Sequence, residues 1–187
     1  KLGEHPKLAG LLYPILQSLD EEYLGVDIQY GGIDQRKILV FARENLPKLG
    51  YKSRIDVMTP IIPGLTGTKM SASDSKSKID LLDSEDEVNK KIEGAFCEAG
   101  VVEGNGVLAF LKYVLFTIKK DNKEVFVLER DKKYGESIKY KNYEDLEKDY
   151  VANKVHPLDL KKSLAREVNL LLKVFRDKRE GLKKLSN

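Results

Sequence analysis

The sequence is poor in the residues that make covalent or metal cross-links. It has one cysteine, Cys97, and two histidines, His5 and His156, far apart in the chain. A lone thiol cannot close an internal disulfide, which fits a reducing, cytoplasmic compartment. So few thiolate and imidazole donors leave a structural zinc site without ligands, and no metal site is expected. Long hydrophobic runs are also missing. No apolar stretch approaches the roughly 18 residues needed to cross a bilayer, and no N-terminal stretch reads as a signal peptide, so no membrane association is expected. Strong charge of one sign is absent too: 33 Lys and Arg stand against 30 Asp and Glu, a net charge of +3 that does not announce a nucleic-acid binder. There is no internal repeat and no low-complexity segment. What remains is a globular composition, 41% hydrophobic and 34% charged, in 187 residues. That length can bury one good core or two modest ones.

The modest net charge hides an uneven distribution. Acidic residues gather at positions 80–87, and lysine and arginine at 161–184. A basic face is compatible with phosphate contacts; a solvated helix face gives the same pattern. The first residue is Lys1, so a processed, truncated or fragmentary chain is expected.

Residues 1–82 alternate helix and strand. Residues 11–24 have helical spacing; Val26, Ile28 and Tyr30 alternate as in a strand that Gly31-Gly32 ends. A helix follows with Ile38, Leu39, Phe41, Ala42 and Leu46 on its apolar face and Gly50 as its stop. Ile55 and Val57 begin a second strand, broken by Pro60 and Pro63-Gly64. This order predicts an α/β domain with a parallel sheet covered by helices. Two strands cannot complete such a sheet, so the domain is expected to lack its N-terminal part. From Ser84 onward the pattern is helical. Ser84 and Glu87 have capping-box spacing, residues 107–118 are apolar at helical spacing, and residues 125–128 read as a short extended piece. His156-Pro157 opens a last long helix, because proline loses nothing in a first turn. Its buried stripe is Leu160, Leu164, Val168, Leu171 and Leu172.

Three features carry chemistry. Tyr13, Gln17 and Asp20, at i, i+4 and i+7, share one helix face beside the stripe of Leu12, Ile15, Leu16 and Leu19; an ordinary solvent-exposed face would look the same. Gly31-Gly32-Ile33-Asp34-Gln35-Arg36-Lys37 follows a strand and opens a helix, where open parallel sheets bind ligands and glycine admits a close backbone approach. Asp34 could accept from ribose hydroxyls, or simply favour the helix start. Third, Gly67-Thr68-Lys69-Met70-Ser71-Ala72-Ser73 sets a lysine among small hydroxyl residues in a polar loop. Such a group can neutralise charge developing on a pyrophosphate leaving group, although lysine-serine loops are usually just solvated.

Lys-Met-Ser-Ala-Ser resembles the Lys-Met-Ser-Lys-Ser signature of class I aminoacyl-tRNA synthetases. Together with Tyr13-x-x-x-Gln17-x-x-Asp20 and the Gly-Gly-Ile-Asp-Gln-Arg-Lys turn, it closely resembles the tyrosyl-tRNA synthetases, over residues 8–172. Asp20-Glu21-Glu22-Tyr23, Pro63-Gly64-Leu65-Thr66-Gly67 and His156-Pro157-Leu158-Asp159-Leu160-Lys161 point to the archaeal and eukaryotic cytosolic branch. The resemblance implies the second half of a Rossmann-type catalytic domain at 1–82 and an all-α anticodon-binding domain at 83–187.

It also implies roles. Tyr13, Gln17 and Gln35 would hold the α-amino group of tyrosine, and Asp20 would accept from its phenol. Gly32 and Asp34 would meet the ATP ribose, and Ile61 and Ile62 the adenine. Lys69, Ser71 and Ser73 would bind the triphosphate and stabilise the transition state, with Mg2+ accompanying ATP. Arg36 would read the first acceptor-stem base pair of tRNA-Tyr, its guanidinium fork suiting two acceptors on a base edge. Tyr134, His156 and Asp159 would recognise the anticodon by stacking and by accepting from guanine N–H groups; Asp159 would equally complement a helix dipole. A homodimer is implied for the full-length enzyme. No His-x-Gly-His motif is present, so the chain by itself is not expected to activate tyrosine. A non-catalytic tRNA-binding protein and a tryptophanyl-tRNA synthetase are the alternatives.

Overall fold

The computed structural model describes residues 7–67, 70, 74–179 and 181. The chain forms two compact units, Lys1–Ile61 and Ile62–Asn187.

The first unit is built as helix, strand, helix, strand. Helix α1 (Leu8–Tyr23) leads to strand β1 (Ile28–Gly32), whose last two residues are the glycine pair. A single 3-10 turn, Ile33–Gln35, opens helix α2 (Arg36–Asn45), which crosses over to strand β2 (Ile55–Thr59). The two strands pair in parallel, from Ile28 opposite Ile55 to Gly32 opposite Thr59, as the intervening helix requires. Leu39, Ala42 and Leu46 form the buried face of the crossover, whereas Phe41 stays exposed. Gly50, at φ 86°, closes the turn after α2 in the left-handed region, which favours glycine. Arg54 ties the unit together: Nε donates to the Val26 carbonyl at 2.9 Å and Nη2 to Glu22 at 2.7 Å.

One expectation is reversed here. The buried residues of α1 are Ser18 and Glu21, not its apolar stripe. Leu12, Ile15 and Leu16 are exposed, as are Ile28, Tyr30, Ile55 and Val57 on one face of the sheet. Alternating positions assign side chains to a face but do not say whether anything covers it. Burial, then the nearby Asp56 carboxylate, push Glu21 above the usual carboxylate range against the pull of Arg54.

The second unit is mainly helical. Helix α3 (Glu85–Glu93) starts at the expected capping box: Ser84 Oγ accepts from the Glu87 N–H at 3.3 Å, and the Ser84 N–H donates to the Glu87 carboxylate at 2.8 Å. Helix α4 (Gly106–Phe110) runs through a widened turn, Leu111–Leu115, into α5 (Phe116–Asp121). Helices α6 (Tyr143–Val151) and α7 (Pro157–Asp177) complete the set, with His156 at the N-terminus of α7 as its proline predicts. The stripe of α7 is buried at Leu160, Leu164, Val168 and Leu172, and half-buried at Leu171. With Leu108, Leu111, Leu115 and Phe126 it builds one core.

The unit is not all-α. Strand β3 (Phe126–Leu128) pairs antiparallel with β4 (Ile138–Tyr140). Three-residue strands are too short to show an alternation. Packing also groups residues 62–82 with these helices, although the motif pattern attaches them to the catalytic half. Leu65 is buried in the helical core, and its carbonyl accepts from the Phe96 N–H at 2.7 Å. At Gly106 any Cβ would stand 2.3 Å from the Gly64 carbonyl oxygen, so this crossing needs glycine on the helix side.

Two buried polar clusters sit in the core. Lys119 binds Glu167 at 2.8 Å; burial alone would raise this carboxyl, but hydrogen bonds from Lys119 and Arg166 hold it below the usual range. The second centres on Tyr150, which is fully buried. Its hydroxyl donates to the Glu98 carbonyl at 2.6 Å and accepts from Asn105 Nδ2 at 3.4 Å, while Asn105 Oδ1 caps α4 at the Leu108 N–H. Burial, with the Cys97 thiol beside it, pushes this phenol well above its ordinary range. Tyr150→Phe removes the bonds to the Glu98 carbonyl and Asn105 Nδ2, partners that each keep a bond to the Val101 backbone. It is expected to cost about 1–3 kcal/mol, read as a lower urea midpoint at unchanged slope.

Candidate functional site

Candidate residues collect in two places, one in each unit. In the first unit, α1 sets Tyr13, Gln17 and Asp20 on successive turns of one face. Tyr13 is 62% exposed and Asp20 is exposed, so the described residues do not bury the outer positions of this face. Gln17 is half-buried and meets the glycine turn, donating from Nε2 to Gln35 Oε1 at 3.4 Å. Gln17 Oε1 is buried with no hydrogen-bond partner among the described residues. Buried acceptors are rarely left so; one beside a second amide suits a donor brought in by a ligand, such as an ammonium group.

The glycine turn has a local reason. A Cβ on Gly32 would stand 2.5 Å from Asp34 Oδ1, so the bare position lets that carboxylate fold back over the turn. Gly32 and Thr59 are register partners at the carboxyl ends of both strands, where ligands of such sheets bind. Gly32 and Asp34 therefore lie at that edge, with Arg36 exposed at the start of α2. Ile61 is exposed two residues beyond β2, and Ile62, half-buried, begins the second unit.

Lys69, Ser71 and Ser73 lie outside the described residues. The stem of their loop is described. The Leu65 N–H donates to the Ser77 carbonyl at 2.9 Å, joining its two sides, and the Gly67 N–H donates to Gly64 at 3.0 Å. Gly67 packs so close to the Phe96 ring that a Cβ would stand 3.1 Å from it.

In the second unit, Tyr134, His156 and Asp159 line one cavity of about 600 Å³. Tyr134 ends the 3-10 turn Lys132–Tyr134, and its ring is 68% exposed. The turn is shaped by Asp131, whose carboxylate accepts from the Lys133 N–H at 3.1 Å. His156 Nδ1 accepts from the Leu158 N–H at 3.2 Å, which fixes that nitrogen as an acceptor and frees the rest of the ring face. Asp159 sits in the first turn of α7.

Four cations line this cavity, Arg130, Lys133, Lys154 and Lys162, of which the sequence marked only Lys162, as part of the basic stretch 161–184. Lys133 Nζ lies 4.8 Å from the Tyr134 ring centroid, and the Arg130 guanidinium donates to the Lys154 carbonyl. In a chain with 33 basic residues none stands out by type. Proximity was the available signal, since Arg130 and Lys133 closely precede Tyr134, Lys154 closely precedes His156, and Lys162 follows Asp159 by one turn. Asp131 lines the cavity too, pairing with Lys133 at 3.5 Å, and Lys154 pairs with Asp149 at 3.2 Å; an exposed ring, an imidazole, a carboxylate and the remaining cations, Arg130 and Lys162, suit an unstacked, phosphate-bearing base.

A family model described as tRNA synthetases class I (W and Y) matches residues 2–173. The chain belongs to this family.

Its similarity within the class I synthetases is to the tyrosine type. The cytoplasmic tyrosine–tRNA ligase of Xenopus laevis is 55% identical over 189 residues, covering 100% of this chain and 35% of the relative. That of Saccharomyces cerevisiae is 49% identical, covering 92% and 45%. The tyrosyl-tRNA synthetase of Archaeoglobus fulgidus, solved with L-tyrosine, superposes with a TM-score of 0.82 at 44% identity, covering 94% and 53%. A tryptophanyl-tRNA synthetase from Encephalitozoon cuniculi shares the fold, with a TM-score of 0.54 at 22% identity. The chain thus spans a third to a half of the length of such relatives. The class I fold appears here as helices around a small parallel sheet. Among the described residues no cluster of His, Cys, Asp or Glu is placed to hold a metal ion, and no helix is long and apolar enough to cross a membrane.

Proposed function

We propose that this chain is part of a cytoplasmic tyrosine–tRNA ligase, with residues 1–82 serving tyrosine activation and residues 83–187 binding the anticodon. The observation that carries the reading is the Gln17–Gln35 pair, with its buried unpartnered acceptor, on the helix face shared by Tyr13 and Asp20. The α-ammonium of tyrosine would satisfy Gln17 Oε1, and Asp20 would accept from the substrate phenol. Relatives of tyrosine type at 44–55% identity support this over the tryptophan alternative, for which Asp20 on that face has no evident use.

The substrates are tyrosine, ATP with its accompanying Mg2+, and tRNA-Tyr. A tyrosine carboxylate oxygen attacks the α-phosphorus, and the bond to pyrophosphate breaks, giving tyrosyl-adenylate. A terminal ribose hydroxyl of the tRNA then takes the tyrosyl group and AMP leaves. No covalent enzyme intermediate is required, so the protein's work is positioning and charge stabilisation. Asp34 and Gly32 would hold the ribose, Ile61 and Ile62 the adenine, and Lys69, Ser71 and Ser73 the phosphates. Arg36 would meet the acceptor stem, and Tyr134, His156 and Asp159 the anticodon. The full-length enzyme would act as a homodimer.

The test is amino-acid-dependent ATP–pyrophosphate exchange by a full-length ligase carrying this chain. Exchange is expected with tyrosine and not with tryptophan. Exchange with tryptophan alone would move the chain to the other branch of the family. No exchange, with tRNA still bound, would identify a non-catalytic binder.

A further inference from the structure

The cavity around Tyr134, His156 and Asp159 does not end at α7. A second groove, of about 800 Å³, runs between α3 and α7. The two share Leu158 and Lys162 in their walls, so one path leads from the exposed Tyr134 ring past the start of α7 and along that helix. On the α7 side Lys162, Arg166, Asn169 and Lys173 follow at helical spacing and share one face. At a rise of about 1.5 Å per residue, Lys162 and Lys173 stand roughly 16 Å apart along the helix axis, which accommodates a few nucleotides of extended strand.

The carboxylates Glu85, Glu93 and Asp177 also line the groove, and its five cations are of two kinds. Several are spent within the fold. Arg176 binds Glu85 at 3.3 Å and the Asp83 carbonyl at 2.8 Å, Arg166 binds Glu167 at 2.7 Å, and Lys161 donates to the Glu93 carbonyl at 2.8 Å. Lys162 and Lys173 are exposed and make no ion pair among the described residues. Asn169 Nδ2 also donates to Asn89 Oδ1 at 2.9 Å, bridging α7 to α3. The unpaired cations stand on α7, one at the mouth of the candidate anticodon cavity and one at the far end of the groove. Exposed Leu170 between them, and exposed Leu158 one turn before Lys162, offer apolar surface to riboses.

We propose that the α3–α7 groove extends the candidate anticodon site, carrying the ribose–phosphate backbone of the RNA strand that flanks the bases, with Lys162 and Lys173 as phosphate contacts. This rests on the assignment of the neighbouring cavity to the anticodon. A backbone contact adds affinity without sequence information, so the groove binds matched and mismatched anticodons alike while the cavity discriminates.

The experiment measures binding of a tRNA-Tyr anticodon stem-loop, and of the same stem-loop with a changed anticodon, to the full-length ligase at several salt concentrations. Lys173→Ala is expected to weaken both RNAs severalfold by the same factor. It should also reduce the slope of log affinity against log salt by about 0.7 to 1. Lys173→Glu should weaken both further, and Lys178→Ala, which removes a cation beyond the groove, should leave the slope as it was. An unchanged slope in both Lys173 variants, with Asp159→Ala still abolishing preference for the matched anticodon, would overturn the groove and leave the cavity assignment standing. Loss of neither slope nor preference in any variant would overturn both.

Discussion

Asp20→Ala, in a full-length ligase that carries this chain, is expected to lower kcat/KM for tyrosine by about 10- to 100-fold and to raise that for phenylalanine by a comparable factor. The two substrates differ by one hydroxyl. A hydrogen bond to a charged acceptor contributes about 1.5–3 kcal/mol net, and an acceptor closed off from water without a partner loses its hydration as well. Tyrosine gains the first term; phenylalanine suffers the second. Removing the carboxylate removes both, so discrimination falls from both sides. A tyrosyl-tRNA synthetase is itself the known example of rejecting phenylalanine about 10⁵-fold without editing, and that magnitude belongs to the family and does not come from this geometry. What should survive in Asp20→Ala is the weaker selectivity of shape, no more than about 10²-fold. Asp20→Asn keeps an acceptor of the same size and should fall between the two. The readout is the ratio of kcat/KM values in pyrophosphate exchange. A ratio unchanged by Asp20→Ala would remove Asp20 from the phenol site.

The burial that this prediction requires was not legible in the sequence, nor do the described residues supply it, since Asp20 is exposed among them. Spacing placed Tyr13, Gln17 and Asp20 on one face of α1, and the helix bears them there. Spacing equally marked Leu12, Ile15 and Leu16 as a stripe, yet these are exposed while Ser18 and Glu21 are buried. Periodicity reports a face; covering depends on chain that packs against it. Caps and stops were legible because their chemistry is local: Ser84 with Glu87, His156 before Pro157, and Gly50 each act on the backbone within four residues. Of the β3–β4 pair the first strand was legible, as the extended piece at 125–128, but β4 and the pairing were not, since each strand spans three residues and their partners lie 10 to 14 residues apart. The candidate anticodon cavity shows the same division. Its ring, imidazole and carboxylate were found through motif resemblance, whereas Arg130, Lys133 and Lys154 had only their closeness in sequence to those residues, and Lys162 its basic stretch besides, to set them apart until folding brought three segments together.

Lys69→Ala is expected to slow tyrosyl-adenylate formation by about 10²- to 10³-fold, corresponding to roughly 2.7–4 kcal/mol of lost transition-state stabilisation, with little change in the Kd for tyrosine. The distinction follows from when the charge appears. Tyrosine binding as proposed involves Tyr13, Gln17, Asp20 and Gln35, none of which depends on a cation at position 69. Charge builds on the bridging oxygen and the departing pyrophosphate only as the α-phosphorus is attacked, so a lysine directed there stabilises the transition state far more than the bound substrate. Binding and rate must then separate: pre-steady-state burst rates fall, while equilibrium titration with tyrosine stays put. Lys69→Arg keeps the charge on a broader, planar head and should recover part of the rate, which a purely structural role for the side chain would not produce. The loop stem offers an independent lever. Gly67 leaves only enough room for the Phe96 ring, and Leu65 is fixed to Ser77 and Phe96 by backbone hydrogen bonds, so the described residues before and after 68–73 are tied to the helical unit. Equal losses in tyrosine affinity and in adenylation rate would mean that Lys69 contributes uniform binding, and the proposed role at the leaving group would fall.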